Sequence, residues 1–262
     1  MAYRRLDFEQ YFIDNSEDYN HTGKASKELH YKAVIYQCTG LEKLFRFQHE
    51  MNYEIHYEKE RDVIQINFQK TNGFSDWIAN IVEFTDKYYD AFYFEGQMLC
   101  LRAHHGWANM YRSIKNEIRL EWSRLHKKYQ TAETEIIGWS LGSAQAILCC
   151  QDLNYNFGVC PYLYTFGSVR PFKYTLFNRC QIKQYLNSIY KECWNFANVN
   201  DIVTYMPPFL GFIMPNRVKV GLEGFSIKKL LQPGYYHTIY DNSELYRDCV
   251  SAKSGTIRKC RA

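Results

Sequence analysis

Apolar positions along this 262-residue chain fall into two alternating patterns. Short runs dense in β-branched and aromatic residues, at 53–56, at 63–68 and near 133–139, 160–166 and 193–198, suit buried strands. Between them lie segments with apolar residues three or four apart. The clearest begins near Trp107 and continues through Tyr111, Ile114, Ile118, Trp122 and Leu125, one face of a long helix. Strand-like runs alternating with helical ones predict an α/β class with a central, mostly parallel sheet flanked by helices. Residues 1–47 read as a helical, aromatic extension, with Leu41, Leu44, Phe45 and Phe47 on an amphipathic segment. No internal repeat, low-complexity tract or linker divides the chain, so 1–262 is expected to form a single domain.

One junction between the two patterns carries chemistry. The apolar run Glu135-Ile136-Ile137 leads into Gly138-Trp139-Ser140-Leu141-Gly142, and the small and helix-forming stretch Ser143–Leu148 follows. Composition alone produces a G-x-S-x-G match about 0.04 times in a chain of this length, so its position between a strand and a helix is informative. A serine on so sharp a turn sits in a strained backbone conformation with its hydroxyl projecting above the sheet. The glycines leave room for neighbouring backbone. The helix that follows aims its first N–H groups at any negative charge formed beside the serine.

A serine needs a base, and the base an orienting acid. Where this elbow is used, the partners follow in the order serine, acid, histidine. Of the eight histidines, only His237 lies after Ser140. The acids between them are Asp152, Glu192, Asp201 and Glu223. Asp152 falls about three turns along the helix leaving the elbow, away from the catalytic edge. Glu192 precedes the run Cys193-Trp194-Asn195-Phe196-Ala197, at the wrong end of a strand. Asp201 follows that run, where α/β sheets place functional groups. Glu223, in a turn between Gly221 and Gly224, is the reserve candidate. Taken singly, an Asp such as Asp201 is usually a turn or cap residue and a His such as His237 a surface or core polar group. The order rule and the elbow jointly favour the triad.

These residues resemble the class 3 lipases, fungal-type triacylglycerol lipases of the α/β-hydrolase fold. The resemblance runs from about Asp62 to about Tyr240. Phe68-Gln69-Lys70-Thr71-Asn72-Gly73-Phe74-Ser75-Asp76-Trp77 is similar to the family's F-R-G-[ST]-x4-[DN]-W. His105-Gly106-Trp107 with Tyr111 looks like its H-x-G-[FW] helix entry. Thr165-Phe166-Gly167-Ser168-Val169-Arg170 resembles T-F-G-x-P-R, with valine for proline. Asn198-Val199-Asn200-Asp201-Ile202-Val203 with Pro207-Pro208 resembles the acid's surroundings, and His237-Thr238-Ile239-Tyr240 those of the histidine. Serine to acid is 201 − 140 = 61 residues, typical of the family; acid to base is 237 − 201 = 36, which is short for it. The resemblance implies an oxyanion hole from the Leu141 N–H and from Thr71, through its N–H and hydroxyl. Gln69-Lys70 replaces the family's Arg-Gly in that loop, and the alternative reading of Thr71 is the first residue of a polar turn. It also places a lid near 78–104.

Composition narrows the setting. Net charge is +4, with basic residues scattered apart from Lys253, Arg258, Lys259 and Arg261, so no nucleic-acid surface is expected. No run reaches the roughly 20 apolar residues of a membrane span, and the N-terminus lacks the apolar core of a signal peptide. Nine cysteines, without a C-x-x-C pair or metal spacing, predict reduced thiols and a cytoplasmic protein. The triad requires no cofactor and no metal. Phe84, Tyr88, Tyr89, Phe92, Tyr93 and Phe94, and the apolar stretch 207–215, suit an acyl pocket or transient contact with a lipid surface. They suit equally well the core of a chain that is 17% aromatic. The expected activity is hydrolysis of an acyl-lipid or acylglycerol ester through an acyl-enzyme. A thioesterase, amidase or acyltransferase with the same triad, or a non-catalytic acyl-binding module of the same fold, remains the alternative.

Overall fold

The computed structural model describes residues 30–37, 48–68, 86–94, 97–175, 177–207, 211–220, 235–238 and 240. The main sheet has the strand order β1 (His30–Gln37), β2 (Gln48–Glu58), β3 (Val63–Phe68), β6 (Glu133–Trp139), β7 (Tyr162–Phe166), β9 (Glu192–Asn198) and β11 (Arg217–Val220). The first three are antiparallel. From β3 onward all neighbours are parallel. Between these strands run α1 (His105–Lys128), α2 (Leu141–Phe157) and α3 (Arg179–Ser188), and a one-turn helix, α4 (Tyr235–Thr238), lies near the end of the described chain.

A second sheet carries β4 (Asp86–Phe94), β5 (Gln97–His104), β8 (Phe172–Lys173) and β10 (Phe212–Ile213) in the order β10-β8-β5-β4, all antiparallel. Two expectations change here. The 78–104 segment, expected as a lid, is over 86–94 and 97–104 a strand pair hydrogen-bonded into this sheet at Arg102 and Ala103. Its alternation explains why: Leu99, Leu101 and Ala103 are buried, while Met98 and Cys100 are exposed. The extension expected to be helical contains β1, paired with β2 from His30↔Ile55 to Gln37↔Gln48. Its Ala-Val-Ile-Tyr run favours a strand once an edge is available to pair with. The amphipathic segment at 41–47 lies outside the described residues.

The central strands are buried on both faces, as parallel strands covered on two sides must be. Ile66, Ile136 and Leu163 face the cluster shared with α1 and α2. Ile137, Trp139, Tyr164, Phe166 and Phe196 face an aromatic cluster on the other side. In α1 the buried residues include Trp107, Tyr111, Ile114, Ile118, Trp122 and Leu125, the predicted stripe. In α2 every residue from Leu141 to Leu153 is buried, so it is a core helix rather than an amphipathic one. It ends at Gly158 with φ +68°, the left-handed cap that glycine adopts without strain. Burial pushes the Cys149 and Cys150 thiols up, keeping them protonated and unreactive.

Candidate active site

The ends of β6, β7 and β9 meet at one edge of the sheet, joined by their own backbone. The Ser140 N–H donates to the Phe166 carbonyl at 2.9 Å, and the Gly167 N–H donates to the Phe196 carbonyl at 3.0 Å. Between β6 and α2 the chain reverses at Ser140, which has φ 56° and ψ −121°. A residue with a side chain in that region costs about 1–3 kcal/mol, which the surroundings must hold in place. They do so tightly. A β-carbon on Gly138 would lie 2.6 Å from the Gly142 carbonyl oxygen and 2.6 Å from the Ser143 Cα. The Ser143 hydroxyl donates to the Gly138 carbonyl at 2.8 Å, tying the first turn of α2 to the strand.

The acid is set by the turn after β9. Asp201 caps a 3-10 turn, Ile202–Tyr205, where its Oδ1 accepts the Val203 N–H at 2.9 Å. Its Oδ2 accepts from His237 Nδ1 at 2.9 Å. An ionised carboxylate only accepts, so this bond places the ring proton on Nδ1 and leaves Nε2 a lone pair. Nε2 lies 2.7 Å from Ser140 Oγ, which donates to it. Ser140 and His237 are each 7% exposed and Asp201 is 1% exposed. The structure thus brings the three residues singled out by the order rule into one hydrogen-bonded chain.

The rejected acids are elsewhere. Asp152 on α2 accepts from Arg119 Nε and Tyr111 Oη, both at 2.9 Å, and also pairs with Arg119 Nη2. That accounts for Tyr111 in the helix-entry motif. Glu192 opens β9 at the opposite end from Asp201. Glu223 and Thr71, with Gln69 and Lys70, lie outside the described residues. Leu141 is the first residue of α2, so its N–H has no intrahelical acceptor.

Two residues gain roles that sequence reasoning missed, although both lie in the quoted motifs. The Tyr240 hydroxyl donates to Asp201 Oδ2 at 2.8 Å and accepts the Asn198 N–H at 2.7 Å. It therefore ties the acid to the strand end. Gly167, with φ +62°, sits under the imidazole: a β-carbon there would come within 2.9 Å of His237 Cε1. The T-F-G motif is the signal that could have pointed to it. Among the described residues no group of His, Cys, Asp and Glu is placed to hold a metal ion. No helix there is long and apolar enough to cross a membrane.

Residues 65–211 match the family described as lipase (class 3), more than half of the chain. The chain belongs to the class 3 lipase family. No curated protein matches it significantly. Solved structures similar to it include a fungal lipase in complex with an inhibitor, 22% identical over 73% of this chain and 66% of that one, TM-score 0.54. A lipase from Rhizopus microsporus var. chinensis is 19% identical over 75% and 63%, TM-score 0.54. A triacylglycerol lipase whose catalytic centre is described as a serine protease triad is 21% identical over 72% and 66%, TM-score 0.51. At these identities the likeness establishes the α/β-hydrolase fold, and this chain spans about two thirds or less of the length of those chains.

Proposed function

We propose that the chain is a serine esterase or lipase that hydrolyses acyl-lipid or acylglycerol esters. The observation that carries this reading is the unbroken chain Ser140–His237–Asp201 beneath a strained elbow. Ser140 Oγ attacks the ester carbonyl while His237 Nε2 takes its proton. Asp201 holds the imidazole by Nδ1 and stabilises the imidazolium without taking that proton. The carbonyl oxygen becomes an oxyanion met by the Leu141 N–H and, as the family resemblance implies, by Thr71. One such donor is worth roughly 10²–10³ in rate. Collapse expels the alcohol, protonated by His237. Water, deprotonated by the same nitrogen, then releases the acid and restores Ser140.

Lipid rather than water-soluble ester is supported by family membership and by the surface beside the site. Ile202, the residue after Asp201, is 58% exposed although it is fully apolar, which suits transient contact with a lipid surface. A non-catalytic module would have no need for the Ser140–His237 bond or for the strain that aims the hydroxyl. The test is turnover of p-nitrophenyl esters of increasing acyl length beside matched thioesters and anilides. Ester hydrolysis that falls by about 10⁴-fold or more in Ser140→Ala is expected. Turnover that survives the substitution would overturn the mechanism, and a preference for thioesters would reassign the leaving group.

A further inference from the structure

Two arginines flank the turn that carries Asp201. Arg217 opens β11 and donates from Nη2 to Thr204 Oγ1 at 2.7 Å. Arg170, just after the T-F-G turn, donates from Nε to the Thr204 carbonyl at 3.4 Å. Both guanidinium groups lie against one ring, that of Tyr205, at 4.1 Å and 5.3 Å from its centroid. Thr204 Oγ1 in turn donates to the Asp201 carbonyl at 2.9 Å. The two cations are therefore fixed to a single residue of the acid's own turn.

Neither cation has a carboxylate partner among the described residues. Two like charges, each partly withdrawn from water, repel one another, and an arginine in a protein interior ordinarily pairs with an anion. The strain is visible at Arg170, whose affinity for its proton is lowered by burial first and by Arg217 second. Arg217 Nε is also enclosed with no acceptor among the described residues. A donor shut away from water without a partner costs about 1–3 kcal/mol. A ligand that brings acceptors to both forks would remove both penalties.

From this geometry we infer that Arg170 and Arg217, braced on Thr204 and Tyr205, bind a phosphate group beside the turn that carries the catalytic acid. Phosphate fits better than carboxylate because its tetrahedral oxygens can face two guanidinium forks at once, whereas a carboxylate is filled by one. Tyr205 holds both forks by cation–π contact and is itself 39% exposed, so the group is approached from solvent. Its location deepens the hydrolase reading, on which this role rests: an ester cleaved at Ser140 would belong to a lipid carrying a phosphate headgroup. The phosphate could equally be free in solution and act on the acid's turn through Thr204.

The experiment reads binding rather than turnover, on wild type and on Ser140→Ala. Calorimetry with inorganic phosphate and with a soluble short-chain phosphatidic acid is paired with sedimentation on vesicles. The vesicles are phosphatidylcholine alone or the same lipid doped with phosphatidic acid. The expected result is tighter binding to doped vesicles, weakened at least tenfold in R170Q/R217Q and competed by inorganic phosphate. Saturable one-to-one binding of inorganic phosphate without a vesicle preference would keep the site and assign it to free phosphate. If wild type binds neither phosphate nor phosphatidic acid, the inference is overturned whatever the variant's folding. Equal binding by a folded R170Q/R217Q overturns it too. Phosphate binding by a wild-type protein that hydrolyses no ester would instead sink the hydrolase reading alone.

Discussion

At the scale of single residues, the site depends on groups that hold other groups still. The Asp201 carboxylate accepts three hydrogen bonds from described residues, from the Val203 N–H, His237 Nδ1 and Tyr240 Oη. Removing the last leaves the carboxylate held by His237 and the Val203 N–H, with Oδ2 less firmly placed. Tyr240→Phe keeps the ring against His237 and Trp139 and loses only the hydroxyl. A hydrogen bond to a charged group is worth about 1.5–3 kcal/mol, so kcat is expected to fall roughly tenfold to a hundredfold with KM nearly unchanged. An equal change in KM and kcat, or none in either, would make Tyr240 a packing residue. Ser140, Asp201 and His237 were legible as candidates because order along the chain excludes nearly every alternative. Tyr240 was not, since its value lies in a bond to a carboxylate 39 residues earlier. Gly167 was quoted in its motif, but nothing in the sequence says that an imidazole fills the space a β-carbon there would need.

At the scale of elements, periodicity located what is buried on a regular face and missed what depends on pairing. The strands at 63–68, 133–139 and 193–198 read correctly because they are buried on both faces and dense in β-branched and aromatic residues. The α1 stripe read correctly because a helix packed on a sheet shows one face. β1 and the β4–β5 pair did not, since aromatic-rich segments look alike as strand, lid or amphipathic helix until a neighbouring edge selects one. His104, the last residue of β5, shows what such an ending costs. It is fully buried against Trp107, and burial, with a smaller contribution from His105, lowers its pKa to about 4. The folded state therefore binds fewer protons here than the unfolded chain, whose histidine titrates near 6.5. Stability from His104 is full above about pH 6.5 and is lost as pH falls toward 4, at up to about 1.4 kcal/mol per pH unit. The measurement is Tm against pH for wild type and His104→Gln. The difference between the two curves should shift in favour of the variant on acidification; parallel curves would contradict the account.

At the scale of the molecule, the fold explains why the site sits where it does. Parallel strands with right-handed crossovers bring their C-terminal ends to one edge. There β6 delivers Ser140, β7 delivers Gly167 and β9 delivers Asp201, with His237 arriving from a separate turn of helix. The family match ends at residue 211, before His237, so the base is assigned by geometry and chain order rather than by that match. This fold was legible because the motifs around Ser140, Gly167 and Asp201 each mark a turn where a strand of the sheet ends. The oxyanion loop was legible only by resemblance, and Thr71 is placed by that resemblance alone. The central claim is that Ser140 is an activated nucleophile. Fluorophosphonate labelling of wild type, Ser140→Ala and His237→Ala, with the adduct mapped by mass spectrometry, tests it most directly. The account predicts one adduct, on Ser140, absent from Ser140→Ala and slowed by about 10³-fold or more in His237→Ala. A folded wild-type protein that stays unlabelled, with and without detergent, would contradict it.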